Sequence, residues 1–328
     1  MPGIPPFSRS EKISDYAKAC FPIQWQEKHI KSSDGVDIAL CIGKPPTTND
    51  ELSQKEQKPL RHVLTLYFQG NASSLPPRLP FLSSTLRMAQ HGGRQAINLK
   101  HTIIAISYRG FWTSRGRPSQ RGIEFDADSA LRWVFNEYRT AEKDTRLVIW
   151  GQSIGAGVAA GAAARLLANA PPMKAPRICL IDGVILETPF TSIRDMLIAL
   201  YPQKFLPYRY LWPFLWNWWD TRNALDSLAS HARDTLPEVL IIQADNDEIV
   251  PLEHGKELEE ICSRKKITVE RRLVTGALHT EAMAKIGGRQ CLTNPIFKLS
   301  KRDINFTENK FVTGQLGQSW ISLGYSNL

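Results

Sequence analysis

Val148, Ile149 and Trp150 run directly into Gly151-Gln152-Ser153-Ile154-Gly155, and an Ala/Gly-rich stretch follows from Ala156. An apolar strand, a Gly-x-Ser-x-Gly turn and a run of helix formers describe a sharp strand-to-helix bend with a serine at its apex. Such a bend has no room for side chains at the flanking positions, hence glycine at 151 and 155. It lifts the Ser153 hydroxyl clear of the backbone. The helix that follows aims its N-terminal amides at the same point and favours negative charge there. Ala156, Gly157, Ala159, Ala160 and Gly161 are small enough to let that helix sit close to a sheet.

The rest of the chain has a matching rhythm. Its 328 residues suffice for one large α/β domain or two small ones. Apolar runs at 24–30, 36–42, 62–68, 102–107, 146–150, 183–187, 238–243 and 267–274 are expected strands. Ser33-Asp34-Gly35 is a turn signal that joins the first two as an antiparallel pair. Helical patterns separate the later ones, which should therefore be parallel. Ile123, Ala127, Ala130, Leu131, Val134, Phe135 and Tyr138 fall on one helical face, and 252–261 is a further helix. The expectation is an α/β fold with a mostly parallel eight-stranded sheet and helices on both faces. Residues 1–23 form an N-terminal extension, 24–290 the main domain and 291–328 an irregular polar tail. The polar, Pro-rich stretch 44–59 is a surface loop. The insert 190–235 carries Tyr208, Tyr210, Trp212, Phe214, Trp216, Trp218 and Trp219. It is expected to be a small helical cap, whose aromatics pack on the body or line an acyl-chain pocket.

Five scattered cysteines without C-x-x-C spacing argue against a disulfide framework or zinc site and for a reducing compartment. No apolar stretch reaches the ~20 residues that span a bilayer, and the first residues lack a signal-peptide core. A cytoplasmic protein, peripheral to a membrane at most, is expected. The net charge is +9. It reads first as a solvated basic surface and second as attraction to an anionic membrane or an acidic substrate. No nucleic-acid-binding motif accompanies it.

A serine hydroxyl needs a base to take its proton, and the base needs an orienting carboxylate. On a strand–turn–helix scaffold of this kind the order along the chain is Ser, acid, His. A buried strand ends at Gln243, and Asp245, Asp247 and Glu248 follow it; all three qualify as the acid by type. The base is His279, which follows the last strand across a turn containing Gly276. His254 is the rival, but a histidine on a helix after Pro251 is expected to be solvated. The developing oxyanion needs donors. These are expected to be the amide of Ile154, next after the serine, and that of Asn71, in the loop Gln69-Gly70-Asn71-Ala72. No histidine pair has metal-ligand spacing, so no metal and no cofactor are expected.

Several spaced motifs in order resemble the ABHD-type α/β-hydrolases, especially the lysophosphatidylserine and monoacylglycerol lipase branch with its fungal relatives. They are Tyr67-Phe68-Gln69-Gly70-Asn71-Ala72, Ser107-Tyr108-Arg109-Gly110 with Gly116-Arg117-Pro118-Ser119, Leu186-Glu187-Thr188-Pro189-Phe190 and Asp247-Glu248-Ile249-Val250-Pro251. The resemblance implies an α/β-hydrolase fold and selects Asp247 as the acid, giving a Ser153–Asp247–His279 triad. It implies hydrolysis of carboxylic esters through an acyl-enzyme, with a lysophospholipid or monoacylglycerol as preferred substrate. S-acyl proteins and peptides are alternative substrates on the same triad. A non-catalytic lipid- or partner-binding protein is the alternative of another class. The chain departs from the family at Gln69, where histidine is usual, and after His279, where Gly287, Gly288 and Pro295 interrupt the closing helix.

Overall fold

The computed structural model describes residues 7–46, 61–71, 74–90, 99–138, 145–169, 181–200, 217–231 and 236–290. Eight strands make one sheet: β1 (Gln24–Lys31), β2 (Asp37–Lys44), β3 (Arg61–Phe68), β4 (Leu99–Ser107), β5 (Thr145–Gln152), β6 (Gly183–Glu187), β7 (Glu238–Ala244) and β8 (Val269–Val274). Their spatial order is β1-β2-β4-β3-β5-β6-β7-β8. β2 runs antiparallel to both of its neighbours, and every other pairing is parallel.

Alternation along the strands fills two separate cores. In β3, Leu64, Leu66 and Phe68 face one side with Ala127, Leu131, Ala159 and Leu258 of three helices, Gln120–Tyr138, Ile154–Ala168 and Leu252–Arg264. Val63 and Tyr67 face the other side with Leu79, Leu82 and Leu86 of helix Leu79–Gln90. Because helices cover both faces, an inner parallel strand has no wet side. β6 accordingly buries all five of its residues.

The structure departs from the sequence expectations at several points. Helix Leu79–Gln90, between β3 and β4, was not expected; Pro76 and Pro77 open its first turn and hide the apolar face behind a loop-like start. The last strand begins at Val269 rather than at 267, because Ile267 N–H donates to Cys262 O at 2.9 Å and finishes the preceding helix. Residues 7–23 pack on the body. Cys20 and Ile23 join the core, and Arg9 donates to the carbonyls of Trp112 and Ser114 at 3.2 Å each. Within the stretch 190–235, Ser192 and Asp220 pair in an isolated antiparallel bridge. Beyond it, helix Thr221–His231 buries Leu225 and Leu228 in the body. Tyr208, Tyr210, Trp212, Phe214 and Trp216, most of the loop 44–59, and the tail 291–328 lie outside the described residues. Among the described residues no helix is long and apolar enough to cross a membrane.

Candidate active site

β5 ends at Gln152 and the next helix begins at Ile154, so Ser153 alone makes the bend. Its φ of 54° and ψ of −119° lie where non-glycine residues are strained. Side chains beside it are impossible. A Cβ on Gly151 would stand 2.0 Å from Gly155 O, and one on Gly155 would stand 2.2 Å from Phe68 O. The bend is held by the Ser153 amide, which donates to Glu187 O of β6 at 2.8 Å. Ile154, as the first helical residue, has an amide with no acceptor inside the helix.

The loops after β7 and β8 are tied together by two backbone bonds, Asp245 N–H to Val274 O at 3.2 Å and Asn246 N–H to Ala277 O at 3.1 Å. That pairing brings His279 to the bend. Its Nε2 lies 3.0 Å from Ser153 Oγ, and its Nδ1 lies 2.9 Å from Asp247 Oδ2 and 3.0 Å from Oδ1. Asp247 is itself fixed, with Oδ1 accepting the amides of Ile249 and Val250 at 2.9 and 2.8 Å. The imidazole and carboxylate are only 6% and 3% exposed. Their attraction is therefore little screened by water. The three carboxylates that composition left open have separate places. Asp247 meets the ring, Glu248 Oε2 accepts the His279 amide at 2.9 Å, and Asp245 does neither. His254 is not solvated as expected. It is buried under the start of the insert, with Nδ1 2.8 Å from Thr191 Oγ1, and burial pushes its pKa down.

The loop after β3 passes beside the serine. A Cβ on Gly70 would lie 3.6 Å from Ser153 Cβ and 3.3 Å from Gln152 Oε1. Asn71 follows it and is exposed. Gln69 is fully buried, and its carbonyl accepts the Tyr108 hydroxyl at 2.9 Å. Next to that tyrosine, Arg109 spans Asp126 and Asp34, each at 2.7 Å. The Tyr108-Arg109 stretch thus braces the loop from behind.

Sequence reasoning missed the groups beneath the bend. Arg78 donates to Gln152 Oε1 at 2.6 Å, Gln152 Nε2 donates to Glu187 Oε1 at 3.1 Å, and Trp150 Nε1 donates to Glu187 Oε2 at 3.0 Å. Complete burial pushes the Glu187 carboxyl up to about 7, against the opposing pull of these donors and of Arg78. The available signal was a glutamate closing an otherwise apolar strand. Among the described residues no group of His, Cys, Asp and Glu could hold a metal ion.

No protein-family model matches the chain. It is similar to the lysophosphatidylserine lipase ABHD12 of Danio rerio, 30% identical over 254 residues that cover 73% of this chain and 59% of that protein. It is also similar to protein bem46 of Schizosaccharomyces pombe, 28% identical over 229 residues covering 70% and 66% respectively. The chain therefore spans less than two thirds of either relative's length. Among solved structures, an esterase of Pyrobaculum calidifontis aligns with a TM-score of 0.60 and 15% identity, covering 90% of this chain and 91% of that one. Carboxyl esterase 2 of Tuber melanosporum aligns with a TM-score of 0.58 and 15% identity, covering 86% of each chain. These two establish likeness of fold. With the sheet order, the serine at its strained bend and the two sequence relatives, the chain belongs to the α/β-hydrolases, as a member of the ABHD-type group.

Proposed function

We propose that the protein is a serine hydrolase of carboxylic esters, with Ser153 as nucleophile, His279 as base and Asp247 as the orienting acid. One observation carries the reading. A strained serine, a histidine and a carboxylate lie in line at 3.0 and 2.9 Å, with the last two buried. A free hydroxyl barely ionises at neutral pH, and this alignment supplies the missing base. Ser153 Oγ attacks the acyl carbonyl while its proton passes to His279 Nε2. Asp247 accepts Nδ1–H and stabilises the imidazolium that forms. The amides of Ile154 and Asn71 hold the oxyanion. The carbonyl re-forms, the alcohol leaves with the proton from Nε2, and the acyl group remains on Oγ. Water, deprotonated by the same nitrogen, then releases the acid.

The preferred substrate is a lysophospholipid or monoacylglycerol. The name of the zebrafish relative, the net charge of +9 and the aromatic insert support it. The test is labelling with a fluorophosphonate, which reacts only with an activated serine. Wild type is expected to label and Ser153→Ala to remain unlabelled, with kcat on acyl esters down by roughly 10⁴–10⁶-fold. A folded wild type that does not label overturns the proposal in favour of a non-catalytic binding protein. Faster turnover of acyl thioesters or peptides than of lysophospholipids overturns the substrate class alone.

A further inference from the structure

We propose that Glu187, acting through Gln152, positions the nucleophile and its oxyanion loop, and that it does so only as a carboxylate. The inference rests on the serine-hydrolase reading of the same site. It starts from the direction of the hydrogen bonds. Arg78 can only donate, so the atom of Gln152 that faces it must be Oε1, and the 2.6 Å contact satisfies this. That choice turns Nε2 toward Glu187, where it donates at 3.1 Å. The indole of Trp150, also a donor only, takes the other carboxylate oxygen at 3.0 Å. Both oxygens of Glu187 therefore face donors, and neither has room to carry a proton without opposing one of them.

Gln152 transmits this order to the site. It precedes Ser153 and is the register partner of Glu187 across β5 and β6. The Glu187 carbonyl accepts the Ser153 amide at 2.8 Å. On the other side, Gln152 Oε1 is the nearest atom to the space above Gly70, in the loop that carries Asn71. A flipped amide would turn an N–H₂ toward that loop and toward Arg78 at once. Glu187 thus fixes one amide orientation, and that orientation seats the loop beside the serine.

The charged and titratable groups facing Glu187, at the end of β6, come from three other elements: Arg78 from the turn Pro76–Arg78, Tyr67 from β3 and His279 from the loop after β8. Arg78 and a protonated His279 favour the carboxylate, and burial opposes it. Tyr67 is a neutral phenol that burial keeps protonated.

The experiment measures the rate of fluorophosphonate labelling of the full chain from about pH 5 to about pH 9, a range that brackets histidine and raised carboxyl titrations. In wild type Glu187 must lose its proton before Gln152 is held in place, so the rate falls as pH drops below about 7. Glu187→Gln is expected to lower the maximal rate by about 10²-fold, the scale of a small misplacement of reacting groups, with half-saturation unchanged. Its acid limb loses the Glu187 titration and moves to lower pH, because glutamine has no carboxyl to protonate. Arg78→Met keeps Glu187 but removes its cation, so the limb moves to higher pH. A labelled wild type with an unchanged rate and limb in Glu187→Gln overturns the positioning role alone. If that variant fails to fold, an unmoved limb in Arg78→Met overturns it. A folded wild type that does not label at Ser153 overturns the hydrolase reading and this inference with it.

Discussion

The carboxylate of Glu248 accepts the backbone amide of His279 at 2.9 Å, while its neighbour Asp247 holds the imidazole of the same residue. One acid fixes where the loop sits and the other how the ring is turned. The two jobs should separate on mutation. Asp247→Asn leaves the shape but favours the wrong tautomer, and kcat is expected to fall by about 10⁴-fold. Glu248→Gln keeps a carbonyl that can accept the amide, and should retain nearly full turnover. Glu248→Ala should lose stability of about 1 kcal/mol and only a modest part of kcat. Steady-state kinetics and urea unfolding of the three variants check this. Equal losses of kcat in Asp247→Asn and Glu248→Ala would contradict the division.

Two glycines of one helix should respond to alanine with opposite signs. Replacing glycine in a helix usually stabilises by about 0.5–1 kcal/mol. At Gly161 a Cβ would meet only the far end of the Arg165 side chain, at 3.2 Å, so Gly161→Ala should follow that rule. At Gly155 it would meet Phe68 O at 2.2 Å, and backbone has nowhere to go. Gly155→Ala should therefore destabilise, by about 1–3 kcal/mol or more, and displace the loop that Phe68 leads into. Thermal unfolding of both variants decides the sign. A stabilised Gly155→Ala would show that the bend is looser than its geometry implies.

Arg109 is almost buried and bonds Asp126, which is completely buried, and Asp34 at the β1–β2 turn. Removing one member of a buried pair leaves a bare charge and typically costs about 3–5 kcal/mol. Arg109→Met should reach that range. Arg109→Met with Asp126→Leu should regain most of it, because the one carboxylate still without its partner, Asp34, is reached by water. A double variant no better than the single one, in equilibrium unfolding, would argue that the guanidinium matters for its packing alone.

How much of this was legible in the sequence follows from how local each signal is. The bend at Ser153 was readable because its signal lies in consecutive residues: Gly151 is demanded by Gly155 O, and only Gly155 answers to another strand, at Phe68 O. The strands were readable because burial of both faces forces runs such as Val184, Ile185 and Leu186. The choice among Asp245, Asp247 and Glu248 was not local. It depends on how two loops meet through the Asp245–Val274 and Asn246–Ala277 bonds, and only the family resemblance pointed to Asp247. His254 was misjudged for the same reason, since a helix position does not say that Thr191 will cover it. Arg78, Gln152 and Glu187 come from three separate segments that the sheet order brings together. No spacing rule links them.

Glu187 also sets a stability prediction whose sign can be worked out in advance. Its carboxyl titrates near 4.5 when unperturbed, and burial raises that to about 7 in the folded protein. Between these values the folded state holds a proton that the unfolded state has released. Stability from this group is therefore fully present below about pH 4.5, is lost as pH rises to about 7, and changes no further above that. The total is on the order of 3 kcal/mol. Asp34 works in the opposite direction, since its bond to Arg109 lowers its pKa, and its effect lies at more acid pH. Glu187→Gln has no such proton to lose. The stability of wild type relative to this variant should fall between about pH 5 and about pH 8, read by urea unfolding at both. A constant difference would mean that Glu187 does not titrate in this window, and the proposed acid limb of the labelling rate would need another source. A falling difference would place the most reactive form of the site at the pH where Glu187 stabilises the fold least, a trade of stability for function at a single buried carboxylate.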